Sequence, residues 1–203
     1  VNLVIRLIPE KADGKDSEKK LVYLNQRLEN QPNLAISATM KELHRMGEIA
    51  GKNYNLSIEA FFDGDENKVD KVKQLESTVD YLSDSITKVM IELRGLDLHD
   101  KDLVQLGKLH HTIIDLERIS DRSEDIAEFA LLQMDVGQSM TKDAIDDLTS
   151  LTNKVNDIIQ LSLDIFSTLD QSKMDSIRQL RRDIEFDKLA CMDRHIVRLQ
   201  KQE

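Results

Sequence analysis

Apolar residues recur along this chain at spacings of three and four over five long stretches, at about 34–62, 66–93, 100–135, 139–169 and 173–200. That period matches the turn of an amphipathic helix rather than the two-residue alternation of a strand. The second stretch is the most regular. Val72, Val79, Ile86 and Leu93 stand seven apart, with Leu75, Leu82 and Val89 as a companion row. Such a double stripe packs against neighbouring helices in a bundle. Asp63-Gly64-Asp65, Gly95 and Gly137 separate the stretches. Each predicted helix is about 40–55 Å long at 1.5 Å per residue. The expected fold is all-α, an antiparallel bundle of long helices.

The pattern also repeats at an offset of 105 residues, the distance from Phe61 to Phe166. Leu43, Met46, Leu56 and Ile58 then fall on Leu148, Leu151, Leu161 and Leu163. Val69, Val72, Leu75 and Val79 fall on Met174, Ile177, Leu180 and Ile184, and the turn residue Asp65 falls on Asp170. The register holds without gaps, which reads as an internal duplication. The unit is three helices. The counterpart of the third would begin just past Glu203, so the second unit is expected to lack its last helix. The expected divisions are 1–33, 34–137 and 138–203.

Ahead of the helices the chain differs in character. Val1–Ile8 is apolar but too short to span a bilayer. It reads as the end of something longer or as an amphipathic lead-in helix, and the charged residues 10–20 that follow read as a solvated tether. Residues 21–33 form a short segment with Pro32 near its end.

Composition narrows the partners. The net charge is -10 and the pI about 5.0, so phosphate backbones and anionic headgroups are repelled. Nucleic-acid binding and direct lipid binding by the bundle are not expected; cations or a basic partner are. The one cysteine, Cys191, lies in an apolar register and reads as a small core residue. The seven methionines read as packing.

Candidate chemistry concentrates in acidic rows. In the third stretch Glu117, Asp121 and Asp125 stand four apart on one face, and His110, Glu117 and Glu124 interrupt a ladder from Leu103 to Leu131. Glu76, Asp80 and Asp84 flank the seam of the second stretch. Like charges at this spacing repel by about 0.2–0.5 kcal/mol per pair. Carboxylates near a core need a partner or a metal. Two such rows on adjacent helices suggest an oxygen-donor site for magnesium, manganese, iron or zinc. The plainer alternative is a solvated face neutralised by Arg118 and Arg122. His110 is expected to be a satisfied core histidine. The histidines form no Glu-x-x-His motif and no nucleophile–base pair is evident, so an enzyme is not expected.

These residues carry a resemblance. Asp115-Leu116-Glu117-Arg118-Ile119-Ser120-Asp121 resembles the Asp-Leu-Glu-Arg-Ile-Gly-Asp signature of the PhoU family of phosphate-signalling proteins, and Asp125-Ile126-Ala127-Glu128 resembles its Asn-Ile-Ala-Glu. Tyr23-Leu24-Asn25-Gln26-Arg27-Leu28 and Lys41-Glu42-Leu43-His44-Arg45-Met46 resemble the PhoU-like domain fused behind bacterial sodium/phosphate cotransporters. The resemblance implies two three-helix repeats and a Glu/Asp-x-x-x-Asp metal motif on each of several helices. Here Glu76 and Asp80 match that motif on one helix, and Glu117 and Asp121 match it on the next. In the fifth helix the equivalent places hold Arg181 and Glu185, a departure from the pattern. The resemblance further implies a non-enzymatic regulatory domain on the cytoplasmic side of the plasma membrane. Its expected partner is its own transmembrane transporter domain, with a homodimer compatible. A free-standing PhoU-like regulator is the alternative reading, and a metal-dependent helical enzyme a third.

Overall fold

The computed structural model describes residues 19–24, 32–96, 98–136 and 140–201. Every regular element among them is helical: α1 Pro32–Asp63, α2 Glu66–Arg94, α3 Asp100–Val136, α4 Lys142–Thr168 and α5 Met174–Lys201, with a 3₁₀ turn at Gln171–Lys173 before the last. The all-α bundle is therefore the fold. Capping sets the boundaries. α1 starts two residues earlier than its apolar stripe, at Pro32, where a missing N–H costs nothing. Asp65 starts α2, accepting the Asn67 N–H at 2.9 Å. Thr141 starts α4, accepting the Ala144 N–H at 3.3 Å, so that helix begins later than its pattern suggested.

Helices α1, α2 and α3 pack on one another around a single main core. The predicted seam of α2 is its buried face: Val72, Val79, Ile86, Leu93, Leu75 and Leu82 are all buried. Val89 is half-buried, and Met90 takes the interior place instead. Full burial of one such side chain contributes about 1.5–3 kcal/mol. In α3 the interior rows are Leu106, Leu109, Ile113 and Leu116, continued by Ser120, Ser123, Ala127 and Ala130. These rows run one residue ahead of the ladder read from the sequence. His110 is consequently exposed, not a core histidine, and Leu103 is 38% exposed. The small residues in the second half of α3 let its backbone come close to α1, where Asn53 Nδ2 donates to Ser120 Oγ at 3.0 Å inside the core.

The remaining helices form a hairpin, α4 on α5, that meets the first three through α1 alone among the described residues. Two glycines of α1 make the seat. A Cβ on Gly47 would meet Leu163 Cδ2 at 2.3 Å, and one on Gly51 would meet Gln160 Nε2 at 3.3 Å and Ile159 Cγ2 at 3.4 Å. Tyr54 adds a hydrogen bond to the Thr152 carbonyl at 3.1 Å, and its burial pushes the phenol up to about 12. Asp147 of α4 holds Arg194 and Arg198 of α5 at 2.8 and 3.0 Å. Cys191 is half-buried between these two helices, with Sγ 3.8 Å from the Asp147 carbonyl. That is a helix–helix contact rather than a core position. No residue of α4 is buried. The face of α5 turned from α4 leaves Phe186, Leu189, Met192, Ile196 and Leu199 between 51% and 73% exposed.

The two helix-to-helix turns match residue for residue at the 105-residue offset. Gly64 (φ 62°) and Leu169 (φ 57°) are both left-handed. Their N–H groups donate to the Ala60 and Ile165 carbonyls at 2.9 and 2.8 Å. Asp65 and Asp170 each cap the next helical turn, accepting from the N–H groups of Asn67 and Ser172. Phe61 and Phe166 are both half-buried against apolar clusters. Val1–Ile8 and most of the charged lead-in lie outside the described residues. No described helix is long and apolar enough to cross a membrane.

Candidate metal centre

The acidic rows follow from the register of the two helices. Glu76 and Asp80 each come one residue after a core position of α2, Leu75 and Val79. Glu117, Asp121 and Glu124 each come one residue after a core position of α3, Leu116, Ser120 and Ser123. One residue is about 100° of helix rotation, so both rows lie along the rim of the core where α2 and α3 meet. There Glu76, Asp80 and Asp121 each bring a carboxylate oxygen within 4.8 Å of the others. Glu76 is half-buried, and Asp80 and Asp121 are exposed.

The electrostatics match the crowding. Glu76 is pushed up to about 7, first by burial, then by its hydrogen bond to Asp80 and by the negative charges of Asp80, Glu124 and Asp121. Arginines do not relieve this. Arg122 pairs with Asp125 at 2.6 Å and Arg118 with Asp115 at 3.9 Å, while Asp121 has no ion pair among the described residues. A set of carboxylates short of positive charge is the donor set that a hard divalent or trivalent cation fits.

The four acids expected to act together are placed unequally. Glu76, Asp80 and Asp121 converge. Glu117 lies one turn from Asp121 and accepts from Ser83 Oγ of α2 at 3.0 Å instead. Glu124 adds its charge to the group from the other side. Its signal was its position one turn beyond Asp121 on the same rim. In α5, Arg181 and Glu185 are exposed, Asp183 accepts from Gln179 at 2.7 Å, and Asp187 pairs with Lys154 at 2.5 Å. The triad on α2 and α3 is the one such group among the described residues.

The family model for the PhoU domain matches residues 43–130, which hold the triad and the Asp115–Asp121 signature. Residues 43–130 are thus similar to the PhoU domain. Three relatives named phosphate-specific transport system accessory protein PhoU homologue are similar to it. The Pseudomonas aeruginosa and Pseudomonas putida proteins are each 22% identical over 80% of this chain, and the Clostridium acetobutylicum protein is 27% identical over 73%. The matched stretches span 66%, 63% and 66% of these relatives, less than two thirds of their length. No solved structure matches the chain significantly. The PhoU-like match covers α1 from Leu43, α2 and most of α3, and so coincides with the three-helix unit rather than the hairpin.

Proposed function

We propose that this chain is a non-catalytic regulatory unit of phosphate uptake, and that Glu76, Asp80 and Asp121 are its metal-binding point. The observation that carries the reading is the coincidence of the PhoU-like match with that carboxylate group. The relatives' names supply the process, phosphate-specific transport, and the accessory role. The donor set supplies the ligand class: iron, zinc, manganese or magnesium. Glu117 belongs with the group as a flanking carboxylate held by Ser83, and Glu124 as a further acid on the rim. A bound cation replaces mutual repulsion with attraction at the α2–α3 contact and stiffens the unit.

Attachment to a transmembrane sodium/phosphate cotransporter domain on the cytoplasmic side of the plasma membrane is the finer reading. The lead-in motifs around Tyr23 and Glu42 favour it. A free-standing accessory protein acting on a transporter partner is the second reading, favoured by the names of the three relatives. Apolar spans in the natural sequence ahead of Val1 separate the two.

The metal assignment is tested by thermal melting of the chelator-treated chain with each of Mn²⁺, Fe²⁺, Zn²⁺ and Mg²⁺ added in turn. At least one should raise the wild-type melting temperature by several degrees, roughly 2–4 °C per kcal/mol at this size. Asp121→Asn should abolish the rise and Glu117→Gln should reduce it. If no cation moves the wild-type transition, the acids are a solvated face. The regulatory role is tested by phosphate uptake in cells carrying the intact protein or its Asp121→Asn variant. Equal control of uptake in both counts against it.

A further inference from the structure

Two lead-in motifs that the carboxylate site leaves unused meet in space. Tyr23-Leu24 comes from one, Glu42 and Arg45 from the other. Glu42 is fully buried. Its Oε2 accepts the N–H groups of Val22 and Tyr23 at 2.8 and 2.7 Å. Its Oε1 accepts from Arg45 Nε at 2.6 Å, and Arg45 Nη2 also donates to the Lys20 carbonyl at 2.6 Å. Lys19 Nζ reaches α2, donating to Ser77 Oγ at 2.8 Å. Leu24 enters the main core and Leu21 packs against it, whereas Val22 and Tyr23 leave their side chains 50% and 43% exposed.

This arrangement has the properties of a recognition site for a peptide backbone. Residues 19–24 form no helix or strand, so their amides need partners from elsewhere. A buried carboxylate is costly unless its oxygens are filled. Each deficiency meets the other, because adjacent N–H groups converge on one carboxylate oxygen. Specificity rests on the backbone and on two leucines three residues apart, not on the exposed side chains between them.

We propose that residues 19–24 are a strap clipped into a docking groove on α1 and α2, with Glu42 as its latch. The strap couples the segment ahead of residue 19 to the bundle and can be released without unfolding it. This goes beyond the metal-site reading and does not depend on it. The occupant is this chain's own strap, and the coupling runs through main-chain amides.

Amide hydrogen exchange and limited trypsin digestion of the full 203-residue chain test it. In Glu42→Gln the side chain keeps its shape but has one acceptor oxygen, so its amide nitrogen must face a donor. The Val22 and Tyr23 amides should then exchange about tenfold faster or more, the weight of a lost charge-assisted hydrogen bond. Cleavage after Lys19 and Lys20 should accelerate alike, with α2 and α3 protection unchanged. Val22→Pro, which deletes one donor, should release the strap in the same way, and Val22→Ala should not. Unchanged strap protection in Glu42→Gln overturns the latch. Loss of protection throughout α2 and α3 in both Glu42→Gln and Val22→Pro also overturns the proposal, because the segment is then part of the core.

Discussion

Single residues show where this bundle partners its buried polar atoms. Asn53 is fully buried, and its Nδ2 has Ser120 Oγ as its acceptor while its Oδ1 meets no partner among the described residues. Ser120→Ala leaves that amide unsatisfied and should cost about 1–3 kcal/mol, read as a lower denaturation midpoint with no change in slope. Leu169 offers the opposite change. It holds a left-handed conformation with its side chain 65% exposed, at the turn position where its counterpart is Gly64. Left-handed geometry costs a residue with a Cβ about 1–2 kcal/mol, and glycine gives back roughly half of that through its greater unfolded freedom. Leu169→Gly should raise stability by about 0.5–1 kcal/mol, read as a higher denaturation midpoint. Glu76 predicts a pH dependence. Its folded value, about 7, lies above the unfolded one, so the folded chain binds the proton more tightly. The stability linked to that proton is complete below about pH 4.3 and is lost as pH rises to about 7. Without metal, Glu76→Gln should match the wild type near about pH 4 and melt higher near about pH 8. Equal melting of the two at the higher pH would contradict the crowding argument. The acids themselves were legible from the sequence. Which oxygens converge was not, because Glu117 and Asp121 share a face and only Ser83, across the helix contact, separates them.

At the scale of elements, the length, order and number of helices were legible because each carries a stripe tens of residues long. The rotation of α3 was not. A ladder shifted by one residue turns the helix by about 100°. Leu103, His110 and Leu131 offered such a ladder, while the true interior rows end in Ser120, Ser123, Ala127 and Ala130, which hydrophobicity does not mark. The strap was hidden for a related reason: Val22 and Tyr23 between its two inward leucines are hydrophobic as well, so hydrophobicity does not mark which of the four turn inward. The α1–α4 contact rests on Gly47 and Gly51, and the three atoms nearest a Cβ on Gly51 all belong to α4 side chains, Gln160, Ile159 and Leu163. Gly51→Val adds bulk against them and a stiff branched side chain. It should unseat the hairpin. Hydrogen exchange should then show lost protection across 142–168 and 174–201 with α2 and α3 still protected. Uniform protection in this variant would mean that the hairpin has a second anchor.

On the scale of the whole molecule, the described residues form a three-helix unit with the main core and a two-helix arm held on α1 at a glycine-lined seat. At the 105-residue offset read from the sequence, the turns at Gly64 and Leu169 share one geometry. That, among the described residues, the arm joins through α1 alone could not be read, since a periodic pattern says which face is apolar and not which neighbour covers it. The carboxylate group and the residues that the PhoU family model matches lie in the first unit, and the strap packs on it. The arm differs from it in how its melting will register. None of the α4 side chains is buried, and the outer row of α5 from Phe186 to Leu199 is already hydrated. The heat capacity increment of unfolding and the denaturant slope both scale with newly wetted surface. Leu151, Ile158, Leu163 and Phe166 of α4 are nevertheless half-buried, so melting the arm should contribute to both, but less per residue than melting the first three helices. The larger part of the curvature of the stability profile, including its fall-off in the cold, will come from α1, α2 and α3.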